Sequence, residues 1–348
     1  MAETLQESNL DDEDLYSLQE NDLLGVLSST RKVVEEGKYV WINLDRVGML
    51  SAQWIQQEEE QRTPAQLWYD HYHFQDGSER TLHWLLVLDA MNFCFWSEKD
   101  QLRWQIEYKG EILNGYWAEA AALTRAVEEG FPLWDATFLS TLSSDTLAYI
   151  FRTIPGASPI PLFEQRLANA REVGRVLLEQ FDGHFANALD RVEGDAIQLT
   201  LLLAEQFSSF NDIASYRNSE VRFFKRAQLC VSDIHGAFSG EGRGAFRNFD
   251  QLTAFADYKL PQVLRHFGVL EYHPVLAKRI DNQELIKQEE EAEIELRAAT
   301  IWACELLKRE MARQGYTTTA ADIDQRLWLM GQQSAEMQPY HRTYTMYY

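Results

Sequence analysis

From Leu285 to Gln314 the chain sets Leu285, Ala292, Leu296, Ala299, Ala303 and Leu306 at spacings of three, four and seven residues, just before Gly315. That recurrence predicts a long α-helix with one apolar stripe facing a core, closed by a residue that tolerates the left-handed turn at a helix end. On this helix Glu293 and Arg297 stand four apart and pair at the surface for a few tenths of a kcal/mol, with phosphate binding as the alternative for Arg297. Shorter patterns of the same kind cover Ala118 to Glu129 (closed by Gly130 and Pro132), Asp145 to Phe151, Pro161 to Gln180 and Ala196 to Phe207. Three prolines between Pro155 and Pro161 mark a rigid turn. The run Leu82 to Ala90 is apolar throughout, so periodicity leaves helix and strand both open. Leu102, Trp104, Ile106 and Tyr108 alternate up to Lys109-Gly110 and predict a small β element near residues 93–112. No internal repeat or long linker interrupts the pattern. The expected architecture is mainly α: an acidic lead-in over residues 1–24, then a single compact helical domain over 25–348.

Composition narrows the partners. The 348 residues carry 54 acidic against 32 basic side chains, a net charge of -22, which disfavours a surface that tracks a nucleic-acid backbone. Neither duplex DNA nor tRNA is an expected partner. A small anion remains compatible, because a few basic groups in a pocket hold one phosphate against an acidic background. Cys94, Cys230 and Cys304 lie far apart without CxxC spacing and read as free thiols in a reducing compartment. With no apolar run of spanning length and no signal-like start, the cytoplasm is the expected location, without membrane association. The expected state is a monomer. Ten Trp, fifteen Tyr and eighteen Phe supply rings for core volume or for planar ligands.

Three segments carry polar groups in company that suits chemistry. Asn218 to Asp233 (NSEVRFFKRAQLCVSD) opens with a cap candidate at Asn218 or Ser219 and predicts a helix. On it Asp233 follows Lys225 by eight residues, about 80° around and two turns along. A lysine and an acid so placed border one pocket, or are an ordinary solvated pair. Phe249 to Leu270 reads as two short helices, the first capped by Asp250 and the second beginning near Pro261 and ending at Gly268. Asp257 falls just ahead of the second, where the positive helix end favours an ionised carboxylate. This is either a simple cap or the fixed anion that stabilises an oxocarbenium ion. In Leu88 to Trp96 (LDAMNFCFW), Asp89 and Asn92 sit among apolar rings. Asn92 has a buried partner or reads a ligand edge, with Phe93, Phe95 or Trp96 against a planar base. His71 and His73 are two apart, and structural hydrogen bonding or a polar contact in a pocket is favoured over zinc, since neither HExxH nor a Cys/His quartet occurs. GxSxG, Walker and Rossmann patterns are also absent, and GEGRG lacks the lysine of a phosphate loop.

LDAMNFCFW, FFKRAQLCVSD (Phe223 to Asp233), FADYKLPQVLRHFGVL (Phe255 to Leu270) and EIELRAATIWACELL (Glu293 to Leu307) together resemble the queuosine salvage family. Their order and spacing agree over most of the chain, whereas the acidic N-terminus and the PYHRTYTMYY ending add nothing to the likeness. The resemblance implies an all-helical fold akin to helix-hairpin-helix DNA glycosylases. The implied reaction is hydrolysis of queuosine 5′-monophosphate to queuine and ribose 5-phosphate, with water as nucleophile and no metal or organic cofactor. It implies Asp257 as the carboxylate for the sugar and Asp233 as the one for the base, with the exchange of these roles left open. Asn92, Phe93, Phe95, His71 and Tyr258 are the implied substrate contacts, and Lys225, Lys259 and Arg265 the phosphate candidates. Lys225 is expected as a cation and not as a Schiff-base nucleophile. The alternative is a non-catalytic helical module that binds a modified base or a protein partner.

Overall fold

The computed structural model describes residues 15–18, 22–61, 71–333 and 336–348. Most of the acidic lead-in therefore lies outside the described residues, although Leu15 and Leu24 are buried. In chain order the elements are α1 (Val26–Glu36), β1 (Val40–Ile42), α2 (Leu44–Gln61), α3 (Glu79–Met91), β2 (Gln105–Tyr108), β3 (Glu111–Asn114), α4 (Gly115–Glu128), α5 (Ala136–Ser140), α6 (Ser144–Ile150) and α7 (Phe163–Gln180). There follow α8 (Phe185–Arg191), α9 (Ala196–Gln206), β4 (Ile213–Tyr216), β5 (Ser219–Arg222), α10 (Lys225–Ala237), α11 (Lys259–His266), β6 (Leu270–Tyr272), α12 (Pro274–Asp281), α13 (Glu291–Arg313) and α14 (Ala320–Gln332). The fold is mainly α, and among the described residues the strands form three pairs: β1 with β6 and β2 with β3, both antiparallel, and β4 with β5. Among the described residues no helix is long and apolar enough to cross a membrane.

The chain divides into two compact units that interleave in sequence. The first holds residues 1–65, 214–222 and 250–341; the second holds 66–213, 223–249 and 342–348. In the first, Leu50 and Trp54 of α2, Leu264 of α11, Leu296 and Leu307 of α13 and Leu327 of α14 belong to one apolar core. In the second, α3 is buried from Thr81 to Met91. That settles the ambiguous apolar run as a helix with no solvent face, capped by Ser78, whose Oγ accepts the Arg80 N–H at 3.1 Å.

Several predicted helices appear within two or three residues of their expected ends, and the β2–β3 hairpin turns at Lys109 and Gly110, both at positive φ. Three expectations are corrected. Residues 219–222 are strand, not helix: Arg217 and Asn218 both sit at positive φ and turn the chain tightly between β4 and β5. The helix begins at Lys225, where Asp212 Oδ2 accepts the Lys225 N–H at 3.2 Å. The first helix expected after Phe249 is a single 3₁₀ turn, Phe249–Gln251, followed by irregular backbone to Asp257. Finally, α13 has no solvent stripe. Of its 23 residues 18 are buried, Glu293 and Arg297 among them, so their 3.9 Å pair is an interior one. Three-four periodicity cannot tell one buried stripe from burial all round when the intervening polar residues find interior partners.

Candidate active site

In the second unit, α3, α4, α7 and α10 bring charged side chains into the interior. Lys225 and Arg226 open α10 and are 5% and 1% exposed; Asp89 on α3, Glu119 on α4 and Arg166 on α7 are each 0% exposed. Burial of charge on this scale is costly, and the cost is offset unevenly. Arg226 donates from Nη1 to the Asp89 carbonyl at 2.7 Å and from Nη2 to the Ser209 carbonyl. Arg166 donates from Nη1 to Pro161 O at 2.9 Å and from Nη2 to Phe93 O. Both guanidinium groups lie over the Phe93 ring, 4.2 Å away for Arg166 and 5.1 Å for Arg226. Phe93, expected against a planar base, thus packs against two cations of its own chain.

The acids receive less. No hydrogen bond from the described residues reaches the Glu119 carboxylate, whose nearest Arg166 nitrogen stands 3.9 Å away, and Asp89 is offered the side chains of Asn92 and Cys230. Burial pushes the Glu119 carboxyl up to about 8, against the pull of Arg166. Asp89 is raised likewise, burial outweighing the opposing charge of Lys225 and the side chain of Asn92. Desolvation pushes the Tyr116 phenol well up, and the charges of Asp233, Asp89 and Glu119 add to it. Tyr116 Oη lies 2.7 Å from His73 Nε2. Asp233, half-buried on α10, therefore belongs to the same electrostatic cluster as Lys225 and Asp89. Asn92 and Phe95 are also buried in this unit, whereas His71 is exposed.

The first unit gathers the remaining candidates. Asp257 is 7% exposed, and its Oδ1 accepts the N–H groups of Lys259 at 2.7 Å and Leu260 at 3.1 Å. It occupies the position expected of it, at the N-terminus of α11, where free N–H groups favour a negative charge. Tyr258 stacks obliquely near Tyr340, centroids 4.9 Å apart. Lys259 Nζ donates to the Gly331 carbonyl at 2.9 Å at the end of α14, and Arg265 gives both Nη groups to Asp281 at 2.7 and 3.2 Å. Both cations thus hold protein partners. Arg297 directs Nε at the Ala256 carbonyl, 3.4 Å away, and its charge adds to burial in pushing the His341 imidazole down to about 3.

Among the described residues one group has metal-ligand spacing, Glu79, His83 and His184 in the second unit. His83 Nε2 already accepts the Phe185 N–H at 3.0 Å, so its lone pair is taken, and the group serves α3 and α8 as a structural contact. The three cysteines are free and buried, with desolvation raising each thiol. Sequence reasoning did not select Glu119, Arg166, Arg226 or Asp324. A lone acid in the alanine run AEAAA was the one available signal for Glu119.

A profile described as "Queuosine salvage protein" matches residues 72–348. The chain belongs to the queuosine salvage family. A relative from Sphaerobacter thermophilus, named queuosine 5′-phosphate N-glycosylase/hydrolase, is 45% identical over 328 residues, 94% of this chain and 98% of the relative. Proteins of the same name from Mus musculus and Schizosaccharomyces pombe are 34% and 32% identical, covering 78% and 85% of this chain and 83% and 90% of their own lengths. The likeness that began with four segments extends over nearly the whole sequence.

Proposed function

We propose that this chain hydrolyses the N-glycosidic bond of queuosine 5′-phosphate, releasing queuine and ribose 5-phosphate. The observation that carries the reading is Asp257, a buried carboxylate at a helix N-terminus, in a family whose curated members bear the name of that reaction. As the bond to the base breaks, its electron pair leaves with the base and positive charge grows on C1′ and the ring oxygen. A carboxylate fixed by two backbone N–H groups attracts that charge without having to reorganise, and it can take a proton from the attacking water. A 7-deazaguanine has carbon where guanine has N7, so protonation there cannot help the base leave. Stabilisation of the sugar cation then carries more of the barrier.

Asp233 is the proposed partner of the base, since a carboxylate matches the adjacent N1 and 2-amino donors of a guanine-like edge. Asn92, Phe93, Phe95, His71 and Tyr258 are further contacts in this reading, and Lys225 is the favoured cation for the 5′-phosphate. Lys259 and Arg265 would each have to exchange the protein partner it now holds. The net charge of -22 supports a free nucleotide, not tRNA or duplex DNA, as the substrate. A monomeric cytoplasmic protein belongs to the same reading, and the three free, buried cysteines fit a reducing compartment.

Incubation with queuosine 5′-phosphate followed by chromatography for free queuine tests the reaction. Free base appearing in proportion to protein supports it. Tight binding without product would instead establish the non-catalytic module favoured by the excess of aromatic rings.

A further inference from the structure

The segment that delivers Asp257 has an unusual physical character. From Leu252 to Asp257 every residue is buried, yet none belongs to a helix or strand. Buried backbone normally satisfies its N–H and C=O groups through a regular ladder; an irregular buried stretch must borrow partners from side chains. Two are supplied from neighbouring helices of the same unit. Asp324 of α14, 6% exposed, accepts the Phe255 N–H on Oδ2 at 2.7 Å. Arg297 of α13, 3% exposed, presents Nε to the Ala256 carbonyl. These are the peptide groups entering Phe255 and leaving Ala256, so the contacts bracket the bonds whose rotation would swing Asp257. On the other side, Asp257 is tied to α11 by its own bonds to Lys259 and Leu260 N–H.

We propose that Asp324 and Arg297 are positioning residues for Asp257, each holding one peptide of the buried irregular segment so that the carboxylate is presented at a fixed place and angle. The Asp324 contact is the short one, and the Arg297 contact, at 3.4 Å, is the longer and weaker of the two. Neither side chain acts on substrate. Their effect is on the fraction of molecules in which Asp257 is in reacting geometry, and displacement of a catalytic group by about 1 Å costs on the order of 100-fold in rate. The inference rests on the role of Asp257 proposed above.

The test is steady-state release of queuine from queuosine 5′-phosphate by the full chain carrying Asp324→Ala, Asp324→Asn, Arg297→Met, Arg297→Lys or Asp257→Asn, with the melting temperature of each. Asp324→Ala and Arg297→Met are expected to lower kcat about tenfold to 100-fold while KM moves less than about threefold. Asp324→Asn keeps an acceptor oxygen and Arg297→Lys a cationic donor, and each is expected to recover most of kcat. In the Asp257→Asn background Asp324→Ala should cost almost nothing further, because the group it positions is already gone. Full kcat in folded Asp324→Ala and Arg297→Met would overturn the proposal. So would conservative variants that fold like wild type but show no rescue, which also covers the case where the truncations do not fold. An Asp257→Asn protein as active as wild type would instead overturn the reading of Asp257, leaving a distinct signature.

Discussion

Buried carboxylates in the two units are treated in opposite ways. In the first, Asp257 accepts two backbone N–H groups and Asp324 accepts one, while Glu295 accepts those of Lys38, Tyr39 and Val40 at 2.9, 2.6 and 3.3 Å and the Tyr216 hydroxyl at 3.0 Å. In the second, Asp89 and Glu119 are at least as deeply buried but face guanidinium and ammonium groups: Asp89 is offered the side chains of Asn92 and Cys230, and no donor among the described residues completes a hydrogen bond to Glu119. Burial raises the carboxyl in both places: Glu119 is pushed up to about 8 against the pull of Arg166, and Glu295 is raised against the pull of its Tyr39, Tyr216, Lys38 and Val40 donors. Donors in contact and cations a few ångströms away both oppose desolvation. Donors in contact also fix where the oxygens point, which a carboxylate used in a reaction needs.

The largest expected effect breaks the comparison at its functional end. Asp257→Asn keeps an oxygen for the Lys259 and Leu260 N–H groups, so folding should survive while kcat/KM for queuine release falls by about 1,000-fold or more, as loss of a fixed charge at a developing cation would require. Next comes Glu119. Its raised pKa means that stability is fully present below about pH 4.5 and is lost as pH rises through about 8. Glu119→Gln removes that titration, so denaturant unfolding should show a flatter pH profile, with the variant gaining on wild type by ~2–4 kcal/mol between pH 5 and 9. If the wild-type profile is already flat over this range, Glu119 is not held protonated and the contrast fails. Glu295→Gln sharpens the other side: burial raises this carboxyl too, so its charge is a cost to the fold at pH 7, and an amide that still accepts should change the unfolding free energy by less than about 1 kcal/mol. As an exposed control, the Arg31–Glu35 pair at 2.6 Å should contribute under about 0.5 kcal/mol, by double-mutant cycle.

Much of the first level of structure was legible in the sequence. Gly130 after α4 sits at positive φ as expected, and the alternation of Trp104, Ile106 and Tyr108 did mark a strand. Asp257 was locatable because a helix start is encoded locally, by the acid and the Lys-Leu-Pro that follows. What stayed hidden is what depends on distant packing. Ser219–Arg222 resembled a helix start because Asn and Ser serve equally as helix caps and turn residues. Deciding between these needed the partner strand Ile213–Tyr216 and the left-handed backbone at Arg217 and Asn218. Arg297 and Glu119 read as surface or unremarkable residues because a charged side chain carries no local mark of burial. Only the tertiary fold brings Ala256 to the one and Arg166 to the other.

The most direct measurement is the rate of queuine release from queuosine 5′-phosphate by the wild-type chain and by Asp257→Asn, both verified as folded. The account predicts turnover by wild type and a rate at least about 1,000-fold lower for the variant. Release that persists at the wild-type rate in Asp257→Asn, or no release by the folded wild-type protein, would contradict it.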